Sequence, residues 1–166
     1  MIPRITKTCA AVAASLLLAL LPAQAQDGAG AVNAQDPVWH SQQQTYLLGL
    51  SPEEGWHFEE GGVRWRWLAY RASDQKPTVA DVVTVHYEGK LLDGTVFDSS
   101  YARGEPATFP LGRLVKGWQI AIPRMGVGET IEIAIPADLA YGPVGRGPIP
   151  GNATLVFKVE LIAIAD

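Results

Sequence analysis

The sequence predicts an α+β domain, an antiparallel sheet with one short helix packed on its inner face. Three observations predict it. Residues 62–165 hold several stretches of strand-like alternation, clearest at 130–135 and 154–162. An Asp93-Gly94 dipeptide between apolar runs marks a hairpin. Between the strands one stretch, 115–122, carries helical spacing, and Pro123 stops it.

Taken in order, the elements are these. From Val63 to Arg71, Trp65, Trp67 and Ala69 alternate with Arg64, Arg66, Leu68 and Tyr70, so both faces of the strand can be partly covered. Residues 82–92 are rich in β-branched and aromatic side chains and run into Asp93-Gly94, where a tight turn needs positive φ at both positions. Val115, Trp118, Ile120 and Ile122 form the short helix. Ile131, Ile133 and Ile135 face one way along the next strand, and Leu155, Phe157, Val159 and Leu161 do so along the last. Upstream, residues 37–50 read as another short helix. Trp39, Tyr46, Leu47 and Leu50 share a face, and Gly49 and Pro52 limit its length.

The first 25 residues read as a targeting segment. Arg4 and Lys7 supply a positive start, Cys9 to Leu21 is apolar or small, Pro22 breaks the run, and Ala23-Gln24-Ala25 has the small-x-small form of a cleavage site. The apolar run falls short of the ~20 residues of a membrane-spanning helix. Cleavage takes the basic count from 13 to 11 against 17 acidic residues, a net charge near −6. That charge argues against nucleic acid and anionic membrane surfaces as partners. It also removes Cys9, the only cysteine, so the exported chain forms no disulfide. Small polar residues then make 26–36 a linker and 37–61 an N-terminal extension, leaving 62–166 as the main domain.

Several features read as decoys. Gly142, Gly145 and Gly147 form a Gly-rich loop, but no Lys-Ser/Thr follows to make a phosphate cradle. His40, His57 and His86 lack ligand spacing, so no metal site is expected. Asn152-Ala153-Thr154 is a formal glycosylation sequon. Taken singly, Phe97, Phe157, Leu114, Val115 and Trp118 read as core, Tyr87 as a cross-strand aromatic and Asp98 as a turn residue.

Three blocks alter that reading when they stand together in order. They are VHYEGKLLDGTVFDSS (85–100), GWQIAIPRMGVGE (117–129) and LAYGPVGRGPIPGNATLVFKVEL (139–161). With them the sequence resembles the FKBP-type prolyl isomerase family over roughly residues 62 to 165. The resemblance implies a twisted antiparallel sheet of five or six strands wrapped around one short helix, with an apolar pocket between helix and sheet. It implies catalytic positions at Tyr87, Phe97, Asp98 and Tyr141, and substrate-binding positions at Phe109, Leu114, Val115, Trp118, Ile149 and Phe157. Trp118 would form the pocket floor, Tyr141 would donate a hydrogen bond to substrate, and Asp98 would orient the polar side.

The partners so implied are proline-containing polypeptide clients. Macrolide immunosuppressants, which the family binds at the same positions, are a candidate ligand class. No cofactor is expected, and the chain reads as a monomer exported to a bacterial periplasm.

Two departures from the family pattern bear on substrate preference. Ala107 stands where many members place an aromatic wall, and the connection from Gly112 to Trp118 is short. Arg146 or Gly147 occupies a position that is bulky elsewhere. Two other readings stay open: a binding module of the same fold with little turnover, and a domain whose cleft is filled by residues 37–60 through Trp39 and Trp56.

Overall fold

The structure, a computed structural model, describes residues 36–165. The targeting segment and nearly all of the linker expected from sequence lie outside them. The elements run α1 (Pro37–Gly49), β1 (His57–Phe58), β2 (Arg64–Ala69), β3 (Val82–Lys90), β4 (Val96–Ser99), α2 (Ser100–Arg103), β5 (Ala107–Pro110), α3 (Lys116–Ala121), β6 (Thr130–Ile135) and β7 (Leu155–Ala165). Among the described residues seven strands form one antiparallel sheet in the order β1-β2-β6-β7-β3-β4, with β5 also on β3. The class is the α+β arrangement expected, with a count above five or six because the two-residue β1 extends the far edge.

Alternation explains the core. Ile131, Ile133 and Ile135 of β6 face inward beside Leu155, Phe157, Val159 and Leu161 of β7 and Val83, Val85 and Tyr87 of β3. Against them packs α3 through Trp118 and Ala121, followed by Ile122. Burying each large aliphatic contributes about 1.5–3 kcal/mol. Pro123 does not simply stop the helix. It sits in a 3-10 turn, Ile122–Arg124, that continues it.

The turn at Asp93-Gly94 differs from the expected two-residue form. Gly94 alone has positive φ, +87°. Its N–H bonds the Leu91 carbonyl at 3.0 Å, and the Leu91 N–H bonds the Thr95 carbonyl at 2.9 Å. The loop is therefore three residues with glycine in the left-handed position, and Asp93 instead accepts from the Thr95 N–H at 2.9 Å.

The outer face of the sheet is covered too. Ala134 and Val156 are cross-strand partners pointing away from the main core, yet both are buried, as is Trp56. Tyr46 of α1 lies near Arg66 and Glu132 on that face. Arg66, paired with Glu132 at 2.7 Å, lays its guanidinium over the Trp56 ring at 4.7 Å. On α1 the most buried residue is the polar Gln43, in the middle of the face shared by Trp39, Tyr46, Leu47 and Leu50. Among the described residues no helix is long and apolar enough to cross a membrane.

Candidate active site

A cleft of about 410 Å3 opens between α3 and the inner face of the sheet. Every residue named above as a catalytic or substrate-binding position lines it. Tyr87 comes from β3, Phe97 and Asp98 from β4, Phe109 from β5 and Phe157 from β7. Leu114 and Val115 lie just before α3, and Trp118 is on it. Tyr141 and Ile149 come from the long loop between β6 and β7, which also brings Arg146, Gly147 and Pro148 to the rim.

The floor is built from aromatic rings meeting edge to face. Trp118 lies 5.4 Å from Tyr87 and 5.3 Å from Phe157, at interplanar angles of 84° and 86°. Phe157 in turn meets Phe97 at 5.6 Å and 85°, and Tyr87 meets Phe109 at 6.1 Å. Such pairs contribute about 0.5–1.5 kcal/mol each beyond their area, and they fix ring orientation. The Trp118 indole N–H has no hydrogen-bond partner among the described residues, although the side chain is buried.

Gly89 of β3 makes room for this arrangement. A Cβ there would sit 2.6 Å from Phe97 Cε2 and 2.7 Å from Phe157 Cε1. Gly89→Ala is expected to push the Phe97–Phe157 pair apart, destabilising the fold by about 1–3 kcal/mol. Urea unfolding reads the loss, and a weakened near-UV aromatic signal reads the displaced rings. An unchanged midpoint and spectrum would refute the account.

One corner of the cleft is polar. The Tyr87 hydroxyl donates to Asp98 Oδ2 at 2.5 Å, and Arg103 donates from Nη1 to Asp98 Oδ1 at 2.5 Å and from Nη2 to the Tyr87 hydroxyl at 3.1 Å. Burial pushes the Asp98 carboxyl up, but the Tyr87 hydrogen bond and then the Arg103 guanidinium outweigh it and hold the group below the ordinary carboxylate value. Burial, then the hydrogen bond to Asp98, push the Tyr87 phenol up. Tyr141 differs, since its hydroxyl makes no hydrogen bond to a described residue, and Arg146 lies 5.6 Å over its ring. Asp98 is thus a strand residue with both carboxylate oxygens engaged, and Tyr141 is the cleft phenol with no hydrogen bond among the described residues.

Two contributors were not found from sequence. Arg103 is one. Ser99 caps the four-residue α2 by accepting from the Ala102 N–H at 3.2 Å, which folds Arg103 back onto Asp98 five residues earlier. The signal was the Ser99 cap with Gly104 closing the turn. Ser100 is the other. β3 pairs with β5 at residues 82–85 and with β4 at residues 88–90, leaving Tyr87 without a strand partner on that edge. The buried Ser100 hydroxyl fills the gap, accepting from the Tyr87 N–H at 2.7 Å and donating to its carbonyl at 3.1 Å.

Ala107 packs against the core and does not reach the cleft lining, and Phe109, two residues on along β5, does line it. One reading from the sequence is corrected. None of residues 37–60 lines the cleft: Trp56 is buried on the outer face, and Trp39 bonds the Gly151 carbonyl at 3.1 Å. The reading of a self-filled cleft therefore falls.

Comparison with known proteins gives the same answer from several directions. The chain is 46% identical over 119 residues to "FKBP-type peptidyl-prolyl cis-trans isomerase FkpA" of Aeromonas hydrophila, covering 72% of this chain and 44% of that one. It is 57% identical over 91 residues to "Peptidyl-prolyl cis-trans isomerase Mip" of Coxiella burnetii, covering 54% and 40%. It thus spans less than half the length of either relative. The crystal structure of FkpA from Escherichia coli superposes with a TM-score of 0.71 at 35% identity, covering 75% of this chain and 58% of that one. The profile of the FKBP-type peptidyl-prolyl cis-trans isomerases matches residues 73–162, more than half of the chain and the stretch that builds the whole cleft. The chain belongs to that family.

Proposed function

We propose that this chain accelerates cis–trans exchange of X–Pro bonds in polypeptide clients. The observation that carries the proposal is the aromatic-floored cleft with one locked polar corner and one unengaged phenol. Rotation about an amide costs ~18–20 kcal/mol because it breaks C–N resonance, and uncatalysed X–Pro exchange takes roughly tens to hundreds of seconds. No covalent bond is made or broken, so acceleration needs only tighter binding of the twisted amide than of either planar form. Trp118 and Phe157 receive the apolar proline ring and strip water from the amide. Tyr141 offers its hydroxyl to a carbonyl oxygen, while Tyr87, Asp98 and Arg103 keep the opposite wall in a fixed charge state.

The test is exchange on a short Xaa-Pro-Phe peptide, followed by NMR lineshape with the purified chain. Clear acceleration supports the reading, and a macrolide that fills the cleft should compete with the peptide. A folded chain that binds the peptide without accelerating it would favour a binding module instead.

The rate should be flat with pH from about 5 to 9. Asp98 lies below its ordinary value of ~3.9 and Tyr87 above its ordinary ~10, so neither titrates in that range. Activity should fall only in acid, as the pH drops through the lowered Asp98 value. A bell-shaped profile centred near neutrality would argue for a titrating group that this mechanism lacks.

The basic start, apolar run and small-x-small site in the first 25 residues support export, with a bacterial periplasm as the compartment. There the clients are chains folding after translocation, where proline exchange limits the rate. A fusion of residues 1–30 to a reporter tests export directly.

A further inference from the structure

We propose that α1 is a positioning element for the cleft, and that Gln43 and Trp39 are the residues through which it acts. This deepens the isomerase reading and rests on it. The loop from Ala140 to Thr154 supplies Tyr141 and Ile149 to the cleft. Its own bonds make it a closed unit. The Asn152 N–H reaches the Gly142 carbonyl at 2.9 Å, and Arg146 and Ile149 exchange two backbone bonds of 2.9 Å. Its tip is exposed, with Val144 86% accessible and not packed against the core. The orientation of such a unit depends on what fastens its arms.

The return arm is fastened to α1. The Trp39 indole N–H donates to the Gly151 carbonyl at 3.1 Å. The Thr154 N–H donates to Gln43 Oε1 at 2.8 Å, and the Thr154 hydroxyl lies 3.4 Å from the Gln43 carbonyl. Gln43 and Thr154 are 4% and 2% exposed, so water cannot replace these partners without opening the fold. An amide side chain buried in a helix of middling apolar character has no hydrophobic reason to be there. Its one visible use is the Thr154 N–H. Three residues later β7 places Phe157 in the floor, so one anchor serves both the loop wall and the floor strand. α1 itself lies outside the stretch 73–162 that the family profile matches.

The test compares Gln43→Leu, Trp39→Phe and Gln43→Glu in the full chain, with Leu48→Ala as control. Leu48 is 81% exposed on the same helix and bonds nothing in the loop. Measurements are made well below each variant's melting temperature. Gln43→Leu is expected to lower kcat/KM on the Xaa-Pro-Phe peptide roughly fivefold to twentyfold, as loosened positioning does. Amide exchange at Thr154 and Asn152 should quicken and the Tyr141 ring signals should shift. Trp39→Phe should give a smaller loss in the same direction. Gln43→Glu keeps an acceptor in either protonation state and should recover most of the rate.

A purely structural role would lower the melting temperature and leave kcat/KM of folded protein unchanged within twofold, and that result overturns the inference. Should Gln43→Leu fail to fold, Trp39→Phe decides by the same readouts. Should the parent chain itself show no acceleration, the isomerase reading falls. Unchanged loop amides and Tyr141 signals in the variants would then overturn the positioning inference separately.

Discussion

Asp98→Ala is expected to reduce kcat/KM on an X–Pro peptide about 10–100-fold while leaving the fold intact. Asp98 holds two groups at once, the Tyr87 hydroxyl and the Arg103 guanidinium. Hydrogen bonds to a charged group contribute roughly 1.5–3 kcal/mol, and each ~1.4 kcal/mol of lost transition-state binding is a factor of ten in rate. Without the carboxylate, the Tyr87 hydroxyl and Arg103 are released into the cleft mouth, and the wall facing the twisted amide loses both its shape and its fixed charge. Stability should change little, since the Arg103 and Asp98 side chains are 45% and 44% exposed and such pairs contribute about 0–1 kcal/mol. Tyr87→Phe keeps the ring contacts with Trp118 and Phe109 and should cost less. Peptide exchange rates beside thermal melts check both variants. A full-rate Asp98→Ala enzyme would remove the polar corner from the mechanism.

Glu129→Ala should do the opposite, damaging the fold far from the cleft. Glu129 is 1% exposed, and its carboxylate has no ion-pair partner within bonding distance among the described residues. It is held by backbone N–H groups: Gly126 at 2.7 Å, Arg71 at 3.0 Å and Ser73 at 3.5 Å. The segment linking β2 to β3 is thereby tied to the start of β6. Alanine leaves the buried Gly126 N–H and the part-buried Arg71 and Ser73 N–H groups without their acceptor, a loss of about 1–3 kcal/mol measurable by urea unfolding. Burial pushes the carboxyl up, but the Gly126, Arg71 and Ser73 hydrogen bonds together hold it below the ordinary value. A folded-state value below the unfolded one means the stabilisation is complete above about pH 4.3, the unfolded value, and is lost as pH falls through the folded one. Glu129→Gln keeps an acceptor but cannot titrate, so it should flatten the acid limb of the stability curve. An acid limb identical in Glu129→Gln and parent would assign that loss to other carboxylates.

Which of these features could be read from the sequence depended on whether the signal was apolar or polar. The alternation in 130–135 and 154–162 identified β6 and β7 because period-two burial writes itself into the residue types. Seven of the ten cleft positions lie in the three blocks in family order, and Phe109, Leu114 and Val115 followed from the same resemblance in the segment between the first two, since no single aromatic distinguishes a floor from a core. Gln43 escaped notice because a polar residue on the buried stripe of a helix breaks the pattern that defines the stripe. Arg103 and Ser100 escaped because their roles depend on a four-residue helical turn inserted between β4 and β5, and hydroxyls and guanidinium groups in such turns ordinarily face water. Trp56 was read as a side chain that could fill the cleft, but nothing local says which face of a sheet a preceding segment will choose.

The strand order has a consequence for how this molecule comes into being. β7, last in the chain, lies between β3 and β6. While the polypeptide is still emerging, β2 with β6 and β3 with β4 and β5 can exist only as separate fragments, each with an exposed edge. The cleft then lacks Phe157, and Trp118 has half a partner. Closing the seam requires contacts between distant parts of the chain, which is slow and leaves sticky edges exposed meanwhile. The cleft is therefore complete only once β7 seats between β3 and β6, and until then the chain carries exposed edges and a half-built floor.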